Sequence, residues 1–262
     1  MIKKKKIIGI VMLLILIGGF FVWRNRGGEE NAEIARKRKL SLPTNVIGVA
    51  DRPHVEIRPL ADGINLDIYV GELKLAADEV EYELEYQAGT LLQGAFGTID
   101  ASELPTSTRV LLGSCSAGGA CTYHEDVKGG SLLTRYIGGD EDYALKSDWK
   151  YIDNTDRDTA FSSKDAKFQI DGTTLAKQRY LVIFNSPGYP EGIPGEVVSD
   201  IYSLTTPSTL TGEAELIIRA SEEGELKIAT WDGSEWATYE GELDGKMITA
   251  TVDLAELYVV VR

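Results

Sequence analysis

From Pro53 onward apolar and polar residues alternate with a period of two, the mark of strands, because successive side chains of an extended chain point to opposite faces. Ile64, Leu66, Ile68 and Val70 alternate with Asn65, Asp67 and Tyr69, and Val80, Tyr82, Leu84 and Tyr86 alternate with Glu81, Glu83 and Glu85. The second segment predicts a half-buried antiparallel strand with one apolar and one acidic face. Further strands are expected over 91–99, 108–113, 132–137, 167–171, 180–185 and 197–204, divided by turn-rich segments. Nothing after residue 41 holds helical periodicity for three turns. Roughly eight to ten short strands spaced by turns predict an all-β, antiparallel β-sandwich over residues 49–204.

The string Thr205-Thr206-Pro207-Ser208-Thr209 reads as a boundary. Beyond it, strands are expected over 213–220, 225–231, 235–243, 246–252 and 257–262, with Asp232-Gly233 and Asp244-Gly245 as hairpin turns. This predicts a small C-terminal β-meander domain, 209–262. Its core is marginal without a disulfide, so it is expected to pack against the larger domain. The alternation and length resemble immunoglobulin-like and fibronectin type III-like sandwiches of bacterial surface proteins, and Val80–Tyr86 resembles a strand of cohesin-type modules. The Cys, Trp, Cys spacing of antibody domains is missing, so the resemblance implies an Ig-like architecture and no particular ligand.

The pattern at the other end of the chain is different. Four lysines, Lys3 to Lys6, precede an uncharged apolar run of 17 residues, Ile7 to Trp23. As a helix the run spans roughly 26 Å against a hydrocarbon core of about 30 Å. No small-residue cleavage site closes it: Arg24, Asn25 and Arg26 follow, and Ala35 has Glu33 where a small residue is wanted. The run is therefore expected to be an uncleaved transmembrane signal anchor (7–23), with a basic cytoplasmic tail (1–6) before it and a linker (24–48) after it. Arg24, Arg26 and Arg36 to Lys39 balance the lysines, so basic flanks alone do not set the orientation. The short N-terminal tail and a cysteine pair suited to an oxidising compartment place the C-terminal domains outside the cytoplasm.

Charge narrows the partners. Residues 40–262 hold 17 Lys/Arg and 38 Asp/Glu, a net charge of −21. Such a field repels nucleic acid and anionic lipid, although the charge itself is explained first by a solvated surface. The membrane, through the N-terminal helix, and an unidentified surface protein or polysaccharide are the expected partners.

Few residues point to chemistry. Cys115 and Cys121, the only cysteines, flank a glycine-containing loop and are expected to staple a hairpin as a disulfide. Their spacing lacks the C-x-x-C of redox pairs, and zinc would find only His124 nearby. Ser116 nearly completes a nucleophile elbow, but Ser114 stands where glycine is wanted and no helix follows. A triad through His124 is thus formal only, and no catalytic residue or cofactor is assigned.

Asn154, Asp156, Asp158 and Asp165 fall near positions 1, 3, 5 and 12 of a calcium loop, whereas Thr159 occupies the glycine position. Structural calcium there competes with a plain polar loop. Trp149, Tyr151, Trp231, Trp236 and Tyr239 fit either cross-strand packing or a sugar platform, and the stiff loop 187–195 either recognition or connection. The expectation is a non-enzymatic, membrane-anchored extracytoplasmic protein with a binding, adhesion or envelope-structural role. The alternative is a surface hydrolase or its carbohydrate-binding module.

Overall fold

In the computed structural model, residues 42–262 are described, and the expected membrane anchor 7–23 lies outside the described residues. The strands are β1 (His54–Pro59), β2 (Asn65–Glu72), β3 (Glu79–Ala88), β4 (Leu91–Asp100), β5 (Thr106–Leu111), β6 (Gly113–Cys115) and β7 (Cys121–Tyr123). Next come β8 (Val127–Ile137), β9 (Tyr143–Asp153), β10 (Ala160–Ser162), β11 (Phe168–Asp171), β12 (Tyr180–Ser186) and β13 (Ile201–Thr205). The last are β14 (Glu213–Arg219), β15 (Lys227–Trp231), β16 (Trp236–Glu240), β17 (Glu242–Asp244), β18 (Met247–Asp253) and β19 (Leu257–Val261). The fold is all-β and antiparallel, with two short 3-10 turns and no α-helix among the described residues.

A nine-stranded sheet, ordered β16-β15-β19-β13-β12-β9-β8-β3-β4, forms the centre. A three-stranded sheet, β1-β2-β5, and a five-stranded sheet, β10-β11-β14-β18-β17, cover it, and β6-β7 stands as a separate hairpin. Strand β12 locates the two covers. Val182 and Phe184 pack with Val55, Ile57, Leu66 and Ile68 of the three-stranded sheet. Leu181 and Ile183 pack with Phe168, Leu216, Ile218 and Ile248 of the five-stranded sheet. Since neighbouring side chains on a strand face opposite ways, the two covers lie on opposite faces of the large sheet. Sandwich packing thus occurs twice around shared strands. This explains why Leu181-Val-Ile-Phe184 is a continuous apolar run, and why all of β13 is buried: both faces are dry.

The alternating segment 80–86 folds as expected, with Val80, Tyr82, Leu84 and Tyr86 buried in β3 and the glutamates on the outer face. Residues 44–262 form one compact unit. The strands expected as a C-terminal meander are divided: β14, β17 and β18 join the five-stranded sheet, while β15, β16 and β19 extend the central one. The physical reason is burial. Too small to enclose a core alone, this segment lends strands to both layers of one.

The strands β1 and β9 and the three-residue β10 were not anticipated. β1 and β9 carry charge at alternate positions, His54, Glu56, Arg58 and Lys146, Asp148, Lys150. In β8 the register slips opposite Gln87 and Ala88. Gly129 carries the irregularity at φ 92°, and a Cβ there would lie 2.4 Å from the Trp149 carbonyl oxygen.

Candidate functional site

Three places gather polar or exposed groups, the first and third on strands and the second largely between them. The first is the outer face of β3 and β4. Their register sets Glu81 opposite Thr98, Glu83 opposite Phe96 and Glu85 opposite Gly94. The face forms an open groove of about 430 Å³ floored by this acidic row and bordered by Phe96 and Arg135. Arg135 bonds Glu83 at 2.8 Å, and Ser131 donates to Glu85 at 3.1 Å. Phe96 is 85% exposed, an apolar ring with no covering layer. The groove is thus chemically suited to an extended ligand with apolar groups beside a row of carboxylates.

The second place is a polar cleft of about 270 Å³ whose lining includes Asn45, Arg52, Asp148, Asp165, Lys167 and Asp200. Its charges satisfy one another. Lys167 bonds Asp200 at 2.7 Å, Lys164 bonds Asp148 at 2.7 Å, and Arg52 donates to the carbonyls of Ile47 and Asn45. Burial pushes the Asp165 carboxyl up, but hydrogen bonds from Ser163, Tyr202 and the Lys167 backbone outweigh it and hold Asp165 below the usual range. An acid held ionised in this way is unsuited to donate a proton near neutrality.

The third is a buried carboxylate. Glu56 is 0% exposed, with His54 Nε2 at 2.9 Å from one oxygen and Arg58 Nε at 2.7 Å from the other. Burial opposes its charge, yet His54 and Arg58 prevail and lower its pKa; His54 Nε2 is then the donor. The Arg58 guanidinium lies 3.7 Å over the Tyr69 ring and 3.6 Å from Glu256, joining β1 to the segment before β19. Glu256 is raised by burial and by the charge of Glu56. Both oxygens of Glu56 are committed to neighbours on β1 itself, and one tie to the central sheet is the Arg58–Glu256 pair.

Cys115 and Cys121 form a disulfide that closes the β6–β7 hairpin. Asn154, Asp156, Asp158 and Asp165 are not brought together as a calcium loop. The Asn154 amide donates to the carbonyls of Asp158 and Leu175 and its oxygen accepts the Asp158 N–H, while β10 carries the chain away to Asp165. Asp165 instead accepts from Ser163 at 2.5 Å and Tyr202 at 2.9 Å. No group of three or more His, Cys, Asp or Glu able to hold a metal occurs among the described residues. His124 is spent on Tyr86, with Nδ1 2.9 Å from the hydroxyl.

The aromatic candidates pack inward. Trp149 is buried, Trp231 and Trp236 meet with their rings tilted at 49°, and Trp236 donates to the Glu191 carbonyl at 3.0 Å, pinning the loop 187–195. Missed from the sequence were Glu56 and Phe96. A charged residue inside β1 gave no burial signal, and an apolar residue within β4 read as core. No protein-family description, curated relative or solved structure matches the chain.

Proposed function

We propose that this chain is a non-enzymatic, membrane-anchored extracytoplasmic protein whose β-body acts in binding, adhesion or envelope structure. The observation that carries the reading is the groove on β3 and β4. It joins a row of carboxylates to an exposed Phe96 on a long strand. The disulfide supports an oxidising location, and the apolar run Ile7–Trp23 supports the anchor. Among the described residues, no helix is long and apolar enough to cross a membrane, so the anchor rests on that run. In architecture we place the body beside the immunoglobulin-like surface sandwiches, because each covering sheet packs face to face on the shared sheet.

The test uses the tagged full-length chain in intact cells. Protease should degrade the body without lysis, and cross-linked capture should enrich a surface polymer or protein. Phe96→Asp should reduce that capture about tenfold or more, and leave the melting temperature within a few degrees, because the ring touches little within the fold. Protection from protease in intact cells would refute the location, and capture unchanged by the substitution would refute the groove as the binding surface.

A further inference from the structure

We infer that β4 is a self-association edge, at which a second copy of this chain adds its own β4 antiparallel to the first. The inference rests on reading this surface as a binding surface and names its occupant.

The other edges of the molecule are guarded. At the far end of the central sheet, β16 is five residues long, begins with the packed Trp236 and ends in Glu240, which is paired with Lys227. The edges of the five-stranded sheet, β10 and β17, are three residues each. In the three-stranded sheet, β1 is tied down by Ser186 and Thr205, which donate to the carbonyls of Val55 and Ile57, and β5 carries Arg109 paired with Asp67. Short or charged edges are the ordinary protection against pairing.

β4 has none of these protections. It is ten residues long and terminates the nine-stranded sheet. From Leu91 to Ile99 it contains no ionisable residue and no proline. Leu91, Leu92 and Phe96 are 62%, 73% and 85% exposed, three of the seven large apolar residues exposed among the described residues.

The direction of its peptide groups follows from one bond. Ala101 N–H donates to the Asp78 carbonyl, so the odd-numbered residues of β4 bond inward to β3. Leu92, Gly94, Phe96 and Thr98 therefore present their N–H and C=O groups outward, where no described strand pairs with them.

An antiparallel copy with Gly94 opposite Gly94 on the two-fold axis sets Leu92 opposite Phe96 of the second copy, and Phe96 opposite its Leu92. The two most exposed apolar side chains of the strand then cover each other across the pair, and each bonded pair exchanges two N–H···O bonds. No charge meets a like charge. The two acidic rows of β3 stand three strand spacings apart, about 14 Å, beyond the roughly 8 Å screening length at physiological salt. The rows themselves therefore repel little at that salt; what remains is the net repulsion of two acidic bodies, which further salt weakens.

Sedimentation velocity of the full-length chain in detergent, from about 1 to about 100 µM, tests this. A monomer–dimer equilibrium that strengthens with added salt is expected. Gly94→Pro removes the outward N–H at the axis and leaves the β3 bonds, and Phe96→Lys sets cations beside the seam. Each should weaken association at least about tenfold with the melting temperature little changed. If Gly94→Pro misfolds, Phe96→Lys alone decides. A monomer at all concentrations, a dimer that survives Phe96→Lys, or a dimer that salt dissolves would overturn the inference. A monomer that still captures a surface partner would overturn the dimer and leave the proposed function standing.

Discussion

The two covering sheets solve one problem in different ways. The five-stranded sheet is sealed by apolar contact: Phe168, Ile170, Leu216, Ile218, Ile248 and Val252 face the central sheet, while the residues between them face water. The three-stranded sheet seals its inner face similarly with Val55, Ile57, Leu66 and Ile68. Its strand β1, however, is also buried on the other face, where His54, Glu56 and Arg58 lie. A buried carboxylate is tolerated only when both oxygens are bonded; His54 and Arg58 bond Glu56 within β1, while Arg58 to Glu256, and Ser186 and Thr205 donating to the Val55 and Ile57 carbonyls, tie the strand to the central sheet. The difference teaches that a narrow cover held at its edge needs directional bonds where a broad one needs only area.

Substitutions can break this comparison. Phe168→Ala, in the broad seal, should cost about 3–5 kcal/mol in urea unfolding, since it empties space among Tyr202 and Tyr258. Glu56→Ala should cost about 3 kcal/mol, less because Arg58 is partly exposed and can reach water. The discriminating readout is amide exchange. With Glu56→Ala, protection should fall in β1, β2 and β5 and persist in β14 and β18; equal loss in both sheets would erase the distinction.

Acid sharpens the same contrast. The Glu56 pKa is lower folded than unfolded, so its stabilisation is full above the ordinary carboxylate range and is lost as pH falls through the folded value. The wild-type chain should therefore loosen its three-stranded cover first on acidification. Glu56→Gln should flatten that limb of the pH–stability curve, and an unchanged limb would assign it elsewhere.

Smaller effects follow. Replacing Cys115 and Cys121 together by serine should cost about 2 kcal/mol by the loop-entropy account, with exchange in both covers unaltered, because the hairpin belongs to neither. Tyr202→Phe should cost about 1 kcal/mol. It also removes a donor to Asp165, whose carboxyl should titrate at higher pH by NMR. No rise would mean that Ser163 and the Lys167 backbone suffice.

Much of the strand inventory was legible. β3, β12, β14 and β18 stand within a residue or two of where alternation and turns put them, because each has a dry face. The strands β1 and β9 were not, since nothing in the residues themselves tells that the charged Glu56 of β1 is buried or that β9 pairs on both sides within the central sheet. The disulfide was legible from spacing. The groove was legible by half: the acidic row of β3 is plain in the sequence, but Phe96 beside it is not.

Alternation by itself determined that this chain is antiparallel β-structure, which side of most strands is dry, and that an uncharged apolar run of 17 residues precedes it. Only the tertiary structure decided which sheet each strand joins, that the last fifty or so residues divide between two layers, and that β4 ends the central sheet uncovered. The reason is physical. A strand's own residues record how many of its faces leave water, whereas the identity of the covering layer, and whether an edge finds a neighbour, depend on contacts across long stretches of chain.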